Sequence, residues 1–141
     1  MTDLEIQETD LKKQFLKRYK KNLALIDRLK NKIVNLDARI YGIKSPGFSD
    51  MPRGGTPITK EDLVAEKEEI KDRINRLEKK GKKLKSEILS KIDELDDSRH
   101  AEVLESFFID CKDLSTIAEE SGYTIRHTVR LYSEAIKSMS L

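Results

Sequence analysis

Residues 45–57, SPGFSDMPRGGTP, decide the fold of this 141-residue chain, because they hold all three of its prolines and three of its six glycines. Proline stops helix propagation, since it lacks an N–H donor, and glycine adopts backbone angles that other residues resist. On either side, long and highly charged segments contain almost none of these two residues. We therefore expect the chain to reverse here between two long helices.

Apolar residues with helical spacing lie on both sides of this break. The upstream seam is Ile26, Leu29, Ile33, Leu36, Ile40 and Ile43, extended towards the N-terminus by Leu11 and Phe15. The downstream seam is Leu63, Ile70, Ile74, Leu77, Leu84, Ile88, Ile92 and Leu95. Steps of three and four residues predict amphipathic helices that pack along the seam. We predict an antiparallel helical hairpin over residues 1–96 with its loop at 44–60. The alternative is a parallel coiled coil between two chains, in which the break would be an awkward interruption.

Two positions of the downstream seam do not carry the expected apolar residue. Lys67 and Gly81 stand where apolar side chains would fit better. A glycine inside a helix costs about 1 kcal/mol relative to alanine. Gly81 therefore indicates either a bend or a close approach between helices, and the sequence leaves both open.

The loop itself does not have the pattern of a nucleotide site. No strand precedes residues 53–56, no GKS or GKT follows them, and Pro57 removes a backbone donor. Phe48 and Met51 are large apolar residues in a tip that ought to be polar. They either fold over the end of the hairpin or, together with Arg53, form a docking surface for a partner.

Composition limits the function classes. Charged residues make up 38% of the chain, yet 28 basic residues are nearly cancelled by 26 acidic ones, and the net charge is only +2. A nucleic-acid partner is permitted by this balance but not indicated by it. No apolar run approaches the roughly 20 residues that cross a bilayer, and the N-terminus is acidic where a signal peptide is basic. We expect a cytoplasmic protein with no membrane partner.

The sequence offers no set of catalytic residues. It has two histidines, His100 and His127, and its one cysteine, Cys111, has no partner at metal-ligand spacing. We expect neither an enzyme nor a protein with a cofactor, a metal or a small-molecule substrate.

Residues 97–141 have the pattern of a three-helix module that contains a helix-turn-helix. Ile117 and Ala118 are the small and apolar inward positions of a short helix, and Gly122 is placed to end it in a left-handed turn. Thr124 is a suitable N-cap for the next helix. This spacing matches DNA-binding helix-turn-helix motifs. The predicted fold class is therefore all-α, a long helical hairpin followed by a helix-turn-helix module.

The C-terminal segment resembles region four of bacterial sigma factors, which reads the upstream promoter element. The positions that fit are Ile117, Ala118, Glu119, Glu120, Gly122, Leu131, Ala135 and Ile136. Thr128 departs from the pattern, because sigma-like sequences usually carry an apolar residue there. With Val129 beside it, the second helix is expected to be rotated slightly or packed loosely.

Over residues 19–139 the chain is similar to ArpU/RinA-like late-gene activators of phages and prophages of Gram-positive bacteria. It is also similar to a related streptococcal prophage family of unknown function, which has a comparable hairpin loop. The resemblance implies transcriptional control of phage or prophage genes, with double-stranded DNA as a partner and RNA polymerase as a second one. A coiled-coil adaptor, whose helix-turn-helix fold docks protein instead of DNA, is the alternative.

Four residues are the candidates for reading DNA. Arg126, His127 and Arg130 fall on the exposed side of the predicted second helix, and Thr124 lies at its start. Arginine can pair with guanine through two hydrogen bonds. The lysine run, Lys79, Lys80, Lys82 and Lys83, supplies either phosphate contacts or an ordinary solvated face. From Leu114 onward the chain has three basic and three acidic residues, so a single module gains little from counterion release. A homodimer, RNA polymerase or other basic residues such as this lysine run must add affinity.

Overall fold

The computed structural model of the chain describes residues 2–42 and 58–141. Its helices are α1 (Asp3–Gly42), α2 (Lys60–Asp93), α3 (Ser98–Phe108), α4 (Leu114–Ser121) and α5 (Ile125–Ser138). No strand occurs in these two ranges, and none of the helices found there is long and apolar enough to span a membrane. The predicted all-α class is confirmed. The proposed docking residues Phe48, Met51 and Arg53 lie outside the described residues.

Both long helices begin with reciprocal capping bonds. At the start of α2 the backbone N–H of Asp62 donates to Thr59 Oγ1, and the N–H of Thr59 donates to Asp62 Oδ2, both at 3.2 Å. Thr2 and Glu5 make the same exchange at the start of α1. Each pair satisfies two N–H groups that have no partner inside the helix.

The described residues divide into two compact units, of which one comprises residues 24–79. In it Ile26 and Leu29 pack with Ile74, whereas Leu36 and Ile40 pack with Leu63. Within this unit the earlier residues of α1 therefore pack against the later residues of α2, and the two helices run antiparallel as predicted. Lys67, which interrupts the apolar seam, is accommodated by an ion pair across the two helices, in which its Nζ lies 2.6 Å from Asp37 Oδ1.

The second unit comprises residues 1–23 and 80–141. Here Leu16 of α1 packs with Ile88 and Ile92 of α2, whereas Asn22 lies beside Gly81, so the order is again antiparallel. The predicted upstream extension of the seam was wrong at Leu11, which is exposed. In this unit the buried side of α1 contains the fully buried Leu16 and the buried Asn22, with the partly buried Tyr19 between them.

Gly81 marks a close approach of two helices within this unit. A Cβ atom at Gly81 would lie 2.7 Å from Nδ2 of the buried Asn22, which is closer than side chains normally pack. The glycine therefore leaves room for an amide in the seam. Of the two alternatives that the sequence left open, the close approach accounts for the glycine.

Helices α3 and α5 share a core with the adjoining parts of α1 and α2, whereas Ile117 of α4 packs with Val103 of α3 and Leu131 of α5. Leu104 and Phe108 of α3 and Ala135 and Ile136 of α5 join the same cluster as Leu16. The predicted boundary between residues 96 and 97 falls inside this unit, and the division into two domains stays a prediction. The C-terminal end of α5 is also held by α1, because Lys12 Nζ donates to the carbonyl oxygen of Lys137 at 3.1 Å.

Candidate nucleic-acid interface

The turn between α4 and α5 has the geometry that the sequence predicts. Gly122 adopts a left-handed conformation, with φ 72° and ψ 20°. The N–H of Tyr123 donates to the carbonyl of Ala118 at 2.9 Å, and the N–H of Gly122 donates to that of Glu119 at 3.4 Å. These two bonds form a Schellman motif, which ends a helix and redirects the chain within two residues.

The start of α5 is fixed by its predicted cap. Thr124 Oγ1 accepts a hydrogen bond from the backbone N–H of His127 at 3.1 Å. The His127 ring contacts the ring of Tyr123 edge to face, with centroids 4.9 Å apart. His127 is therefore half-buried against the turn, whereas Thr124 and Arg126 are exposed. Since Thr124 uses only oxygen lone pairs in its cap, its hydroxyl proton remains able to donate to an incoming acceptor.

Thr128 shows which side of α5 packs against the core. Its side chain is fully buried, and its Oγ1 donates to the carbonyl of Thr124 at 3.0 Å. A buried hydroxyl is tolerated when it finds such a partner. The residue therefore fills the apolar position of the sigma-like pattern, beside Leu131 and Ala135 in the core row of α5. The expected rotation or loose packing of this helix was wrong, because Thr128 packs inward and Val129 is exposed.

The two arginines of α5 are both exposed, but they differ in their partners. Among the described residues no carboxylate pairs with Arg126. Arg130 has a side chain 71% exposed, and its Nε lies 3.6 Å from Oε1 of Glu134, one turn further along α5. The other oxygen of Glu134 lies 3.4 Å from Nε2 of His100 in α3. The Arg130 guanidinium is thus paired with a carboxylate on one side, whereas that of Arg126 has no carboxylate partner among the described residues.

The acidic residues of α4 affect how a polyanion would meet this surface. Glu120 is neutralised by Lys112, whose Nζ lies 2.7 Å from Oε2. The hydrogen bond that Lys112 donates to that carboxylate raises the pKa of Lys112 above its ordinary value. Asp113 caps α4, and the backbone N–H of Thr116 lowers the pKa of its carboxyl group by donating to it at 2.7 Å. Lys112 therefore reduces the repulsion that Glu120 would exert on a phosphate backbone, whereas Asp113 stays ionised at neutral pH.

The lysine run lies on exposed positions of α2. Lys79, Lys80, Lys82 and Lys83 are all exposed, and none of them pairs with a carboxylate in residues 2–42 or 58–141. Their ammonium groups are therefore available to phosphates. The structure equally fits the ordinary solvated face that the sequence left open.

Two residues on α5 were missed as site candidates. Ile125 and Val129 are large aliphatic side chains exposed to solvent, one turn apart and adjacent to Arg126 and Arg130 in sequence. The signal was present in the spacing, because placing Thr128, Leu131 and Ala135 on the core face leaves Val129 outside it.

Known proteins give no further guide to this surface. Comparison of the chain with models of protein families, with curated proteins and with solved structures finds no match.

Proposed function

We propose that this chain is a sequence-specific DNA-binding regulator of transcription and that α5 is the helix that enters the major groove. The observation that carries the proposal is the arrangement of α4, its Schellman turn and α5, with Arg126 and Arg130 exposed on the N-terminal half of α5. In helix-turn-helix proteins this half of the second helix contacts base edges.

The chemistry of the exposed groups suits DNA. A guanidinium can donate two hydrogen bonds to O6 and N7 of guanine, and each such pair discriminates by about 1–3 kcal/mol against a wrong base. Thr124 lies at the N-terminus of α5, where the helix dipole favours an anion, and its free hydroxyl proton suits a phosphate oxygen. Arg126 and Arg130 would thus specify the sequence while Thr124 positions the helix.

Affinity must come from more than this one helix. Residues 114–141 carry three basic and three acidic side chains, so few counterions are released when they bind. The exposed lysines 80, 82 and 83 are available to add phosphate contacts, and a second copy of the chain or RNA polymerase would add more. The resemblance to late-gene activators supports phage or prophage genes as the targets and RNA polymerase as the partner.

The same balance of charge favours the alternative function, a coiled-coil adaptor whose helix-turn-helix docks protein. An adaptor has no need of exposed cations on α5, and any DNA binding by it would lack sequence preference. The two functions are therefore separated by sequence-specific DNA binding rather than by DNA binding alone.

The test is selection from a random double-stranded DNA library with the full chain, followed by fluorescence anisotropy on the enriched duplex. Wild-type protein is expected to enrich one motif and to bind it with an affinity that falls as salt rises. The double variant Arg126→Ala and Arg130→Ala should lose the preference for that motif. Arg73→Ala with Arg76→Ala is the matched control, since it removes the same charge from exposed positions of α2.

Enrichment of no motif, with or without RNA polymerase, would support the adaptor and contradict the proposal. Equal loss of preference in the control double variant would also contradict it, because net charge rather than α5 would then determine binding. Circular dichroism of each variant verifies that the helices are retained.

A further inference from the structure

The exposed side of α5 carries an apolar pair that the fold does not require. Ile125 is 57% exposed and Val129 is 42% exposed. Because they are four residues apart, they lie one above the other on the helix surface. In sequence each immediately precedes one of the two arginines, so the pair and the arginines form two adjacent rows.

Packing gives no reason for these residue types. In the part of the chain that the structure describes, neither side chain belongs to an apolar cluster, and the inward row of α5 is formed by other residues. β-branched side chains also have a lower helix propensity than alanine, lysine or glutamate. Ile125 and Val129 are therefore free to contact a ligand that meets the exposed side of α5.

We propose that Ile125 and Val129 are specificity-determining residues that contact the C5-methyl groups of thymines in the major groove. This inference rests on the proposed function. Thymine is the one base of ordinary DNA that presents an apolar group at the major-groove edge, and aliphatic side chains recognise it by contact. Arg126 and Arg130 supply the complementary charge that brings the negatively charged groove onto this same surface.

The pair lies where such contacts are made. Ile125 is the first residue of α5, directly after the Thr124 cap, and Val129 follows one turn later. The two rows predict a site in which thymines neighbour the guanines contacted by the arginines. Burial of one methyl group against an aliphatic side chain corresponds to roughly 4-fold in affinity.

The test uses the duplex selected by the wild-type protein and removes methyl groups from the DNA instead of from the protein. Each thymine is replaced in turn by deoxyuracil, which keeps the base pairing and lacks the C5-methyl group. Wild-type protein should bind roughly 4-fold more weakly for at least one replaced position. The variant Val129→Ala or Ile125→Ala should bind the unmodified duplex more weakly and no longer distinguish thymine from uracil at that position.

Ser133→Ala, at another exposed position of α5, is the control and should retain the wild-type response to deoxyuracil. If the duplex is bound specifically but no deoxyuracil replacement weakens binding, the inference is wrong while the proposed function stands. The inference is equally wrong if both aliphatic variants keep the wild-type response, which would leave the pair to a protein partner. If no motif is enriched at all, the proposed function and this inference fail together.

Discussion

Replacing Gly81 by alanine tests the close approach of two helices in the unit formed by residues 1–23 and 80–141. The new Cβ would lie 2.7 Å from Asn22 Nδ2, whereas ordinary contacts begin at 3.4 Å, so the buried amide must move by about 0.7 Å. Overpacking of this kind typically costs about 1–3 kcal/mol. Alanine in place of a mid-helix glycine returns about 1 kcal/mol of helix propensity. The net expectation for Gly81→Ala is a loss of roughly 0–2 kcal/mol in the free energy of unfolding.

The effect of Gly81→Ala on the free energy of unfolding should change sign once the Asn22 side chain is shortened. In an Asn22→Ala background the obstructing amide is absent, and Gly81→Ala should stabilise the protein by about 1 kcal/mol. The free energy of unfolding is measured by urea denaturation followed by far-ultraviolet circular dichroism, for the wild type, both single variants and the double variant. These four proteins form a double-mutant cycle, which compares the effect of Gly81→Ala within each background. The loss of stability caused by Asn22→Ala itself therefore cancels.

The expected coupling energy between the two sites is about 1–3 kcal/mol. If Gly81→Ala stabilises the protein by the same amount in both backgrounds, the helices do not approach closely at this position. The structural explanation of the glycine would then be wrong.

Three further substitutions test the site and its support. Thr128→Val should raise the free energy of unfolding by up to about 1 kcal/mol in thermal denaturation, because it removes a buried hydroxyl; a large loss would show that the hydroxyl is required. Glu134→Gln should strengthen binding to duplex DNA by roughly 2- to 5-fold in anisotropy at low salt, since it releases Arg130 and removes a negative charge; unchanged affinity would contradict this. The Arg99 guanidinium and backbone N–H lower the pKa of Asp97 from 3.8 to about 2, so Asp97 stabilises the fold above pH 3.8 and loses this effect as the pH falls to about 2. Asp97→Asn should therefore lower the melting temperature much more at pH 7 than at pH 2, and an equal decrease at both values would refute the ionic role.

Local signals were enough to predict the turns and caps. Gly122 and Thr124 act within four residues of their own position, so their roles follow from neighbouring sequence and are confirmed. The apolar spacing likewise predicted the antiparallel packing of α1 and α2.

Features that depend on distant partners were beyond the sequence. The buried Asn22 concealed the buried side of α1 that contains Leu16, because a polar residue breaks the apolar pattern unless its glycine partner is known. Likewise, the contact between Glu134 and His100 depends on how α3 packs against α5, which no local spacing encodes.

Amide chemical shifts of the isotope-labelled full chain report whether α5 is the surface that meets DNA. On addition of the selected duplex, the largest shift changes are expected at residues 125–130, and they should be absent with a scrambled duplex at the same salt. Changes confined to the lysine run of residues 79–83, or equal changes with both duplexes, would contradict the proposal that α5 reads the sequence.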